Sequence, residues 1–327
     1  MSKVGMWEEP RRAASASCPV RSGMTPGRST TTRATGRRPP APTSPSRKAT
    51  GELVTLVYVV GGHGYLGSRV VYAAGGPDAA TTVSRDGATR HGVPSRSWPD
   101  FLKDLDNGPA PVVVWLLDGA KHDEHARLTE LLATRPDGHL VLVSTCTVYG
   151  ARGDLLCDES TPLDLLTGHA RLKASCETVL GRSTWTSAVL RLGALYGIDD
   201  RGVRADRIEK WVAQATGEHA ITVPDPGHWR GWVHRDQAAR ALWRAAASQI
   251  PGVFNIASAN LTFTQAVHTA AAMLNAEITS ASETDVCSYR VDSSAALARG
   301  LLDIEPGEDI EAVTAAFVNR ERPHDVP

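Results

Sequence analysis

The chain has 327 residues, enough for about two domains around a large core, and its 35 basic and 36 acidic side chains leave a net charge of −1. That balance points to neither a nucleic-acid nor a membrane partner, and no apolar run reaches the roughly 18 residues that a membrane span needs. The 5 cysteines are odd in number and lack CxxC spacing, which argues against a disulfide framework or a zinc site, so no metal is expected and a reducing cytoplasm is the default compartment.

The charge is unevenly placed along the chain. Residues 1–50 hold ten Lys/Arg against Glu8 and Glu9, leaving 25 basic and 34 acidic side chains in the remainder. The segment is rich in Ser, Thr, Pro, Gly and Arg and has no apolar periodicity, so it reads as a disordered basic tail. An organelle transit peptide and a translation start placed too early stay open as alternatives.

Leu53–Val60 then reads as a buried strand that enters Gly61-Gly62-His63-Gly64-Tyr65-Leu66-Gly67, and Tyr65–Ala74 leaves it as a helix. Strand, tight turn and helix around G-x-x-G-x-x-G form a dinucleotide cradle. One glycine permits the turn, one lets a pyrophosphate approach the backbone, and one lets the helix pack on the strand. Gly61, Gly64, Tyr65, Leu66 and Gly67 are therefore cofactor-binding candidates.

Ala80–Ser84 reads as the second strand, ending at Arg85-Asp86-Gly87. At this strand end an acid suits the adenosine ribose of NAD and a base suits the extra phosphate of NADP. Arg85 directs the expectation to NADPH (NADP+), with Asp86 arguing the other way.

A helix within Pro94–Asp106, an apolar strand at Pro111–Leu117, a helix at Asp123–Thr134 and a strand at His139–Ser144 complete an alternating pattern. It predicts an α/β fold, a Rossmann-like doubly wound parallel sheet whose ligands sit at the carboxyl ends of the strands. The ends to inspect are Gly61–Gly67, Arg85, Leu117 with Asp118 and Gly119, Thr145–Gly150 and Arg191–Gly197. From Arg191 onward the elements are shorter. Strands at Ala188–Leu192, Ala220–Val223 and Val253–Ala257 mix with helices near Ala205–Ala215, Gln237–Ala247, Thr264–Leu274 and Asp309–Phe317. The expected organisation is a nucleotide-binding domain over 51–200 and a smaller C-terminal substrate-binding lobe over 201–327, interleaved with the first.

Five segments now coincide in order and spacing: the glycine cradle, Ser144-Thr145-Cys146-Thr147-Val148-Tyr149-Gly150, Leu190–Gly197, Arg230-Gly231-Trp232-Val233-His234-Arg235-Asp236, and Phe254-Asn255-Ile256. Over about residues 52–322 the chain resembles the extended short-chain dehydrogenases/reductases, the group of nucleotide-sugar epimerases and dehydratases. That resemblance implies that Thr145 holds the reacting oxygen and that Lys173, on the following helix, binds the nicotinamide ribose and tunes an acid. The family's Tyr-x-x-x-Lys places that acid four residues earlier, on the same helix face. Here the position is His169. Leu117-Asp118 and Ala194 also depart from the family pattern, so the site is rebuilt around a retained cradle.

Three readings of His169 stay open: a replacement acid, a residue that binds or orients substrate, and a solvent-facing helix residue. Arg230 matches an arginine that contacts the substrate diphosphate in the family, but its aromatic company, Trp232 included, suits a flat substrate as well. The catalytic candidates are therefore Thr145, His169 and Lys173. His169, Arg230 and Trp232 are the substrate-binding candidates, and Leu117 and Lys173 join the cofactor set.

The tyrosine-less pattern resembles angucyclinone-type ketoreductases. It implies NADPH-dependent reduction of an aromatic polyketide ketone to a secondary alcohol in antibiotic biosynthesis, with the proton coming from a substrate phenol or water. The alternatives are a nucleotide-sugar epimerase or 4-ketoreductase, and a non-catalytic NADP(H)-binding sensor. By family analogy a homodimer forms through two helices, one of them carrying Lys173.

Overall fold

A computed structural model describes residues 56–199, 207–282 and 284–321, so the basic tail lies outside the described residues. Strands run at Val57–Val60 (β1), Thr81–Ser84 (β2), Ser95–Ser97 (β3), Val112–Trp115 (β4), His139–Thr145 (β5), Ala151–Cys157 (β6), Thr186–Leu192 (β7), Ala194–Tyr196 (β8), Ala220–Val223 (β9), Trp229–His234 (β10), Gly252–Ile256 (β11), Ala259–Thr262 (β12), Glu277–Ser280 (β13) and Ser288–Val291 (β14). Helices run at Gly67–Ala73 (α1), Trp98–Asn107 (α2), Glu124–Thr134 (α3), Gly168–Gly181 (α4), Arg207–Glu218 (α5), Arg235–Ala247 (α6), Phe263–Leu274 (α7), Ser294–Ala298 (α8) and Ile310–Glu321 (α9).

Seven strands form the main sheet in the order β11-β7-β5-β4-β1-β2-β3, and every pairing is parallel. The apolar runs are continuous because both faces are covered. Val57, Val59, Val112, Val114 and Val141 point into a core shared with α1 and α6. Tyr58, Val60, Val113, Trp115 and Leu142 point the other way, onto Phe101 of α2, Leu128 of α3 and Cys176 of α4. The alternation follows from the two-residue period of a strand. This is the expected Rossmann-like sheet. Strand β1 pairs with both β2 and β4, so the chain order reverses there, and a doubly wound sheet binds ligands at that reversal.

The strand expected over Pro111–Leu117 spans Val112–Trp115; beyond it the Leu116 amide still donates to the Val60 carbonyl at 3.0 Å, and the Leu117 carbonyl accepts from the Lys173 ammonium at 3.0 Å. Strands β6 and β14 were not legible as strands. Most of β6 is exposed, so it carries no apolar alternation. It pairs with β14, and β10 lies between β8 and β12. Helices α5, α7 and α9 enclose a separate core of Trp211, Trp232, Phe263 and Phe317. From the same half of the chain, β11 and α6 return to the main sheet and its core.

Candidate active site

The carboxyl ends of β1, β2, β4, β5 and β7 open into one crevice of about 1100 Å³, and it gathers every expected site residue except Trp232. At its floor Gly61 adopts φ +88°, a conformation that glycine takes without strain. A Cβ on Gly67 would stand 2.2 Å from the Gly61 carbonyl oxygen and 2.7 Å from the Gly62 Cα, so this glycine is what lets α1 cross the loop. A Cβ on Gly64 would meet only the Gly61 oxygen, at 3.2 Å, leaving the crevice side open to a phosphate. The Tyr65 hydroxyl donates to the Gly197 carbonyl at 2.9 Å, and the Arg235 guanidinium sits 4.3 Å from its ring centre. Leu66 is buried beside them at the crevice wall. This cradle fits a dinucleotide.

At the end of β2 the two side chains that disagreed in sequence have different fates. Arg85 is exposed, lines the crevice and makes no hydrogen bond or ion pair among the described residues. Asp86 is held by Arg90 through two hydrogen bonds of 2.9 and 2.6 Å and by the Ala88 amide at 3.1 Å. The Arg90 hydrogen bonds keep its carboxyl well below the usual carboxylate range. The strand end therefore offers one uncommitted cation, and its acid is already neutralised.

Lys173, on α4, is buried and makes an unexpected contact. Its Nζ is 2.6 Å from Glu124 Oε1, with the two side chains 4% and 0% exposed. Glu124 also accepts from Trp115 Nε1 at 3.2 Å and from the Gly119 amide at 2.9 Å. The cation thus arrives with its counter-charge built in. Glu124 belongs to none of the motifs in the sequence; only the packing of α3 on α4 brings it to the lysine.

His169 occupies the first turn of α4, begun by Thr167, whose side chain accepts from the Ala170 amide. Its side chain opens into the crevice. The surrounding protein atoms and the Lys173 ammonium nevertheless hold its pKa below the ordinary histidine value, against the opposing pull of Asp118 and Glu124. The lowered pKa favours the uncharged imidazole, which can donate or accept a hydrogen bond. Thr145, at the end of β5, shares a 2.5 Å hydrogen bond with the Thr147 hydroxyl, and both line the crevice.

Several other motif residues form a buried scaffold beneath this floor. Ser144 donates to Glu177, and Glu177 pairs with Arg191 at 2.7 Å. Arg191 donates to the Tyr149 hydroxyl at 3.1 Å, which donates to Asn255 at 2.7 Å. Burial pushes the Tyr149 phenol up to about 12, with Arg191 opposing. The motifs around Ser144, Arg191 and Asn255 brace β5, β7 and β11 against one another.

Arg230 lines the far wall but is already engaged. It donates to the carbonyls of Trp229, at 2.7 Å, and Cys287. Asp285 is 2.5 Å from its Nη2, an ion pair lying off the N–H direction, and the Phe263 and Tyr289 rings flank it at 5.2 and 5.1 Å. Trp232 is a correction. It is 0% exposed, packs on Trp211 and Phe263 and donates Nε1 to the Leu261 carbonyl at 3.3 Å. Arg230 and Trp232 are two apart on β10 and share a face, both against Phe263, but Trp232 lies in the core under α5, α7 and α9 and outside the crevice lining. His234, Asp236 and Glu308 bring potential metal-ligating atoms together. Asp236 is paired with Arg69 and Glu308 with Arg240, while His234 Nδ1 accepts the Asp236 amide, so the trio serves as a helix cap and ion-pair network. No helix among the described residues is long and apolar enough to cross a membrane.

A sequence model of the NAD dependent epimerase/dehydratase family matches residues 122–257, the stretch that runs from α3 through β11. No curated protein matches the chain. Among solved structures, TunA, an NAD-dependent NDP-hexosamine 5,6-dehydratase of tunicamycin biosynthesis, aligns with TM-score 0.65 at 20% identity over 82% of this chain and 99% of that one. The UDP-N-acetylglucosamine 4-epimerase of Methanobrevibacter ruminantium M1 aligns with TM-score 0.63 at 18% identity, covering 81% and 99%. The dTDP-glucose 4,6-dehydratase of Bacillus anthracis, solved with NAD, aligns with TM-score 0.65 at 20% identity, covering 81% and 96%. At these identities the likeness establishes the fold.

Proposed function

We propose that the chain is a nicotinamide-dependent oxidoreductase that interconverts a ketone and an alcohol on a nucleotide-linked sugar, as a 4-ketoreductase or epimerase does. The observation that carries this reading is the single crevice joining the glycine cradle to Thr145 and Lys173, with the family match spanning both of those residues. The structurally similar proteins act on nucleotide sugars, which favours this substrate class over the polyketide ketone suggested by the missing tyrosine.

Gly61, Gly64, Tyr65, Leu66 and Gly67 hold the pyrophosphate side of the cofactor, and the uncommitted Arg85 favours NADP(H) over NAD(H). When bound, the reduced nicotinamide supplies hydride to the ketone. Leu117 and Lys173 mark the nicotinamide end. Because Glu124 compensates its charge, Lys173 acts there chiefly as a positioned hydrogen-bond donor. Thr145 holds the reacting oxygen, and neutral His169 orients the substrate at the crevice mouth.

A second reading, reduction of an aromatic polyketide ketone, is favoured by the far wall. There Asp285 has neutralised Arg230, and the Phe263 and Tyr289 rings flank it, an arrangement better suited to a flat apolar ligand than to a diphosphate.

Incubation with NADPH or NADH and a panel of NDP-4-ketohexoses and phenolic polyketide ketones tests these readings through loss of reduced-nicotinamide absorbance. Turnover with ketosugars is expected. Turnover with polyketide ketones alone would replace the sugar reading by the second, and binding of cofactor without any turnover would leave a sensor. Arg85→Asp should weaken NADPH binding relative to NADH by roughly tenfold or more, the scale of one lost charge-assisted phosphate contact. An unchanged preference would remove Arg85 from the phosphate site.

A further inference from the structure

A dinucleotide seated on the glycine cradle turns its adenosine ribose toward the end of β2, where the side chain after the strand meets the ribose 2′ position. Strands β2 and β3 pair in register there, with Ser84 beside Ser97. The residues that follow, Arg85 and Trp98, therefore leave the sheet on neighbouring strands about 4.8 Å apart, and both line the crevice. Trp98 is fixed by its surroundings. Its ring packs on Phe101 and Trp115, and its Nε1 donates to Glu130 of α3 at 2.9 Å. One turn earlier on α3, the Arg127 guanidinium sits over the indole, 5.2 Å from the ring centre, with Nε donating to the His122 carbonyl at 3.2 Å.

Arg127 belongs to none of the motifs in the sequence. It is half-buried, lines the same crevice and forms no ion pair among the described residues. Glu130 is committed to Trp98, and Asp118 and Asp123, which also line this end, make no ion pair with Arg127. The guanidiniums at this end therefore differ in charge compensation. Arg90 is neutralised by Asp86, whereas Arg85 and Arg127 approach from β2 and from α3 with no acid bound to either. A ribose hydroxyl needs neither cation. A phosphate monoester on that ribose carries a charge of about −1.5 to −2 at neutral pH and presents enough acceptor oxygens for two guanidinium forks.

We propose that Arg127 is a second specificity-determining residue for NADP(H), closing with Arg85 on the 2′-phosphate of the adenosine ribose. This rests on the NADP(H) reading of the crevice. With Nε engaged by His122, the Nη atoms of Arg127 are the ones left for the phosphate. Trp98 and the His122 carbonyl order the side chain before a cofactor arrives, so less rotamer freedom is lost on binding. Arg85 is exposed and lacks such support, so Arg127 supplies the fixed half of the clamp. The sequence had no means of showing this, because α3 meets the β2 and β3 ends only through its packing on α2.

Isothermal titration of the full chain with adenosine 2′,5′-bisphosphate and with 5′-AMP tests the clamp, since the two ligands differ only in the 2′-phosphate and carry no nicotinamide. Wild type should bind the bisphosphate more tightly. Arg127→Met keeps an unbranched side chain over Trp98 and removes the charge. It should lower the preference for the bisphosphate on the order of tenfold, the scale of one charge-assisted phosphate contact, while leaving the AMP dissociation constant within about twofold. Arg127→Gln, also uncharged, should do the same, so the outcome does not hang on one variant folding, and retained AMP binding reports the fold in each. Arg127→Lys keeps the charge without the fork and should recover only part of the preference. An unchanged preference in Arg127→Met and Arg127→Gln overturns the clamp, and so does an equal loss for both ligands, which would assign the guanidinium to the adenine ring or to the fold. A wild-type protein that binds the bisphosphate no more tightly than AMP removes the NADP(H) reading and the clamp with it. A preference lost in Arg85→Met and kept in both Arg127 variants removes Arg127 alone.

Discussion

Replacing Glu124 by glutamine keeps the shape of its side chain and removes its charge, leaving the Lys173 ammonium buried beside an amide. At 2.6 Å, with an effective dielectric constant of about 20, the pair attracts by roughly 6 kcal/mol before the desolvation of both groups is subtracted. Breaking a buried pair from one side typically costs about 3–5 kcal/mol, because the remaining charge has no counterpart. With both side chains nearly inaccessible, water cannot screen or solvate the orphaned ammonium, so Glu124→Gln is expected within that range. Urea unfolding followed by circular dichroism measures it, with midpoint and slope read separately. Adding Lys173→Met to Glu124→Gln should recover part of the loss, since the stranded charge is removed while the glutamine oxygen can still accept from Trp115 or Gly119. A Glu124→Gln protein within about 1 kcal/mol of wild type would refute the reasoning. It would mean that the Glu124–Lys173 pair does not contribute to holding α3 against α4 in the folded protein.

Trp232→Phe should cost roughly 1–3 kcal/mol from lost volume and the lost hydrogen bond to Leu261, yet leave the substrate KM within about twofold, because the side chain is fully buried outside the crevice. A large rise in KM with unchanged stability would return Trp232 to the binding wall. Burial lowers the pKa of His139 and of His234, so each contributes stability that is complete above the unfolded value of about 6.5 and is lost as the pH falls through that value toward the folded one. Unfolding free energies at about pH 7.5 and about pH 5.5 should therefore diverge, and His139→Asn should narrow the gap. Equal gaps in the two proteins would exclude His139 as a source.

The main sheet was legible because each of its long strands is covered on both faces and reads as an unbroken apolar run, as in Val112–Trp115 and His139–Thr145. Exposed or mixed strands such as β6 and β14 carry no such signal, so Tyr289, which β14 brings to the crevice wall, was missed. The two arginines show the same limit. Spacing placed Arg85 at the end of β2 and Arg230 in a motif, but their chemistry depends on whether an acid stands beside them. Arg90 captures the acid next to Arg85, whereas Asp285 reaches Arg230 from 55 positions away in the chain.

The sequence by itself determined the cradle. Gly61, Gly64 and Gly67 act through the absence of a side chain, and their effect is confined to a few neighbouring residues of backbone. It also determined that His169 stands four residues before Lys173 on the same helix face, since helix spacing is local, while the acid at that position is what the family resemblance implies. Only the tertiary structure decided what surrounds that position. The counter-charge of Lys173 is brought there by α3 packing on α4, and β14, through its pairing with β6, brings Tyr289 to the far side of the same crevice, contacts between segments far apart in the chain. Hydrogen bonding and charge compensation act over a few ångströms in space, and separation along the chain says little about them.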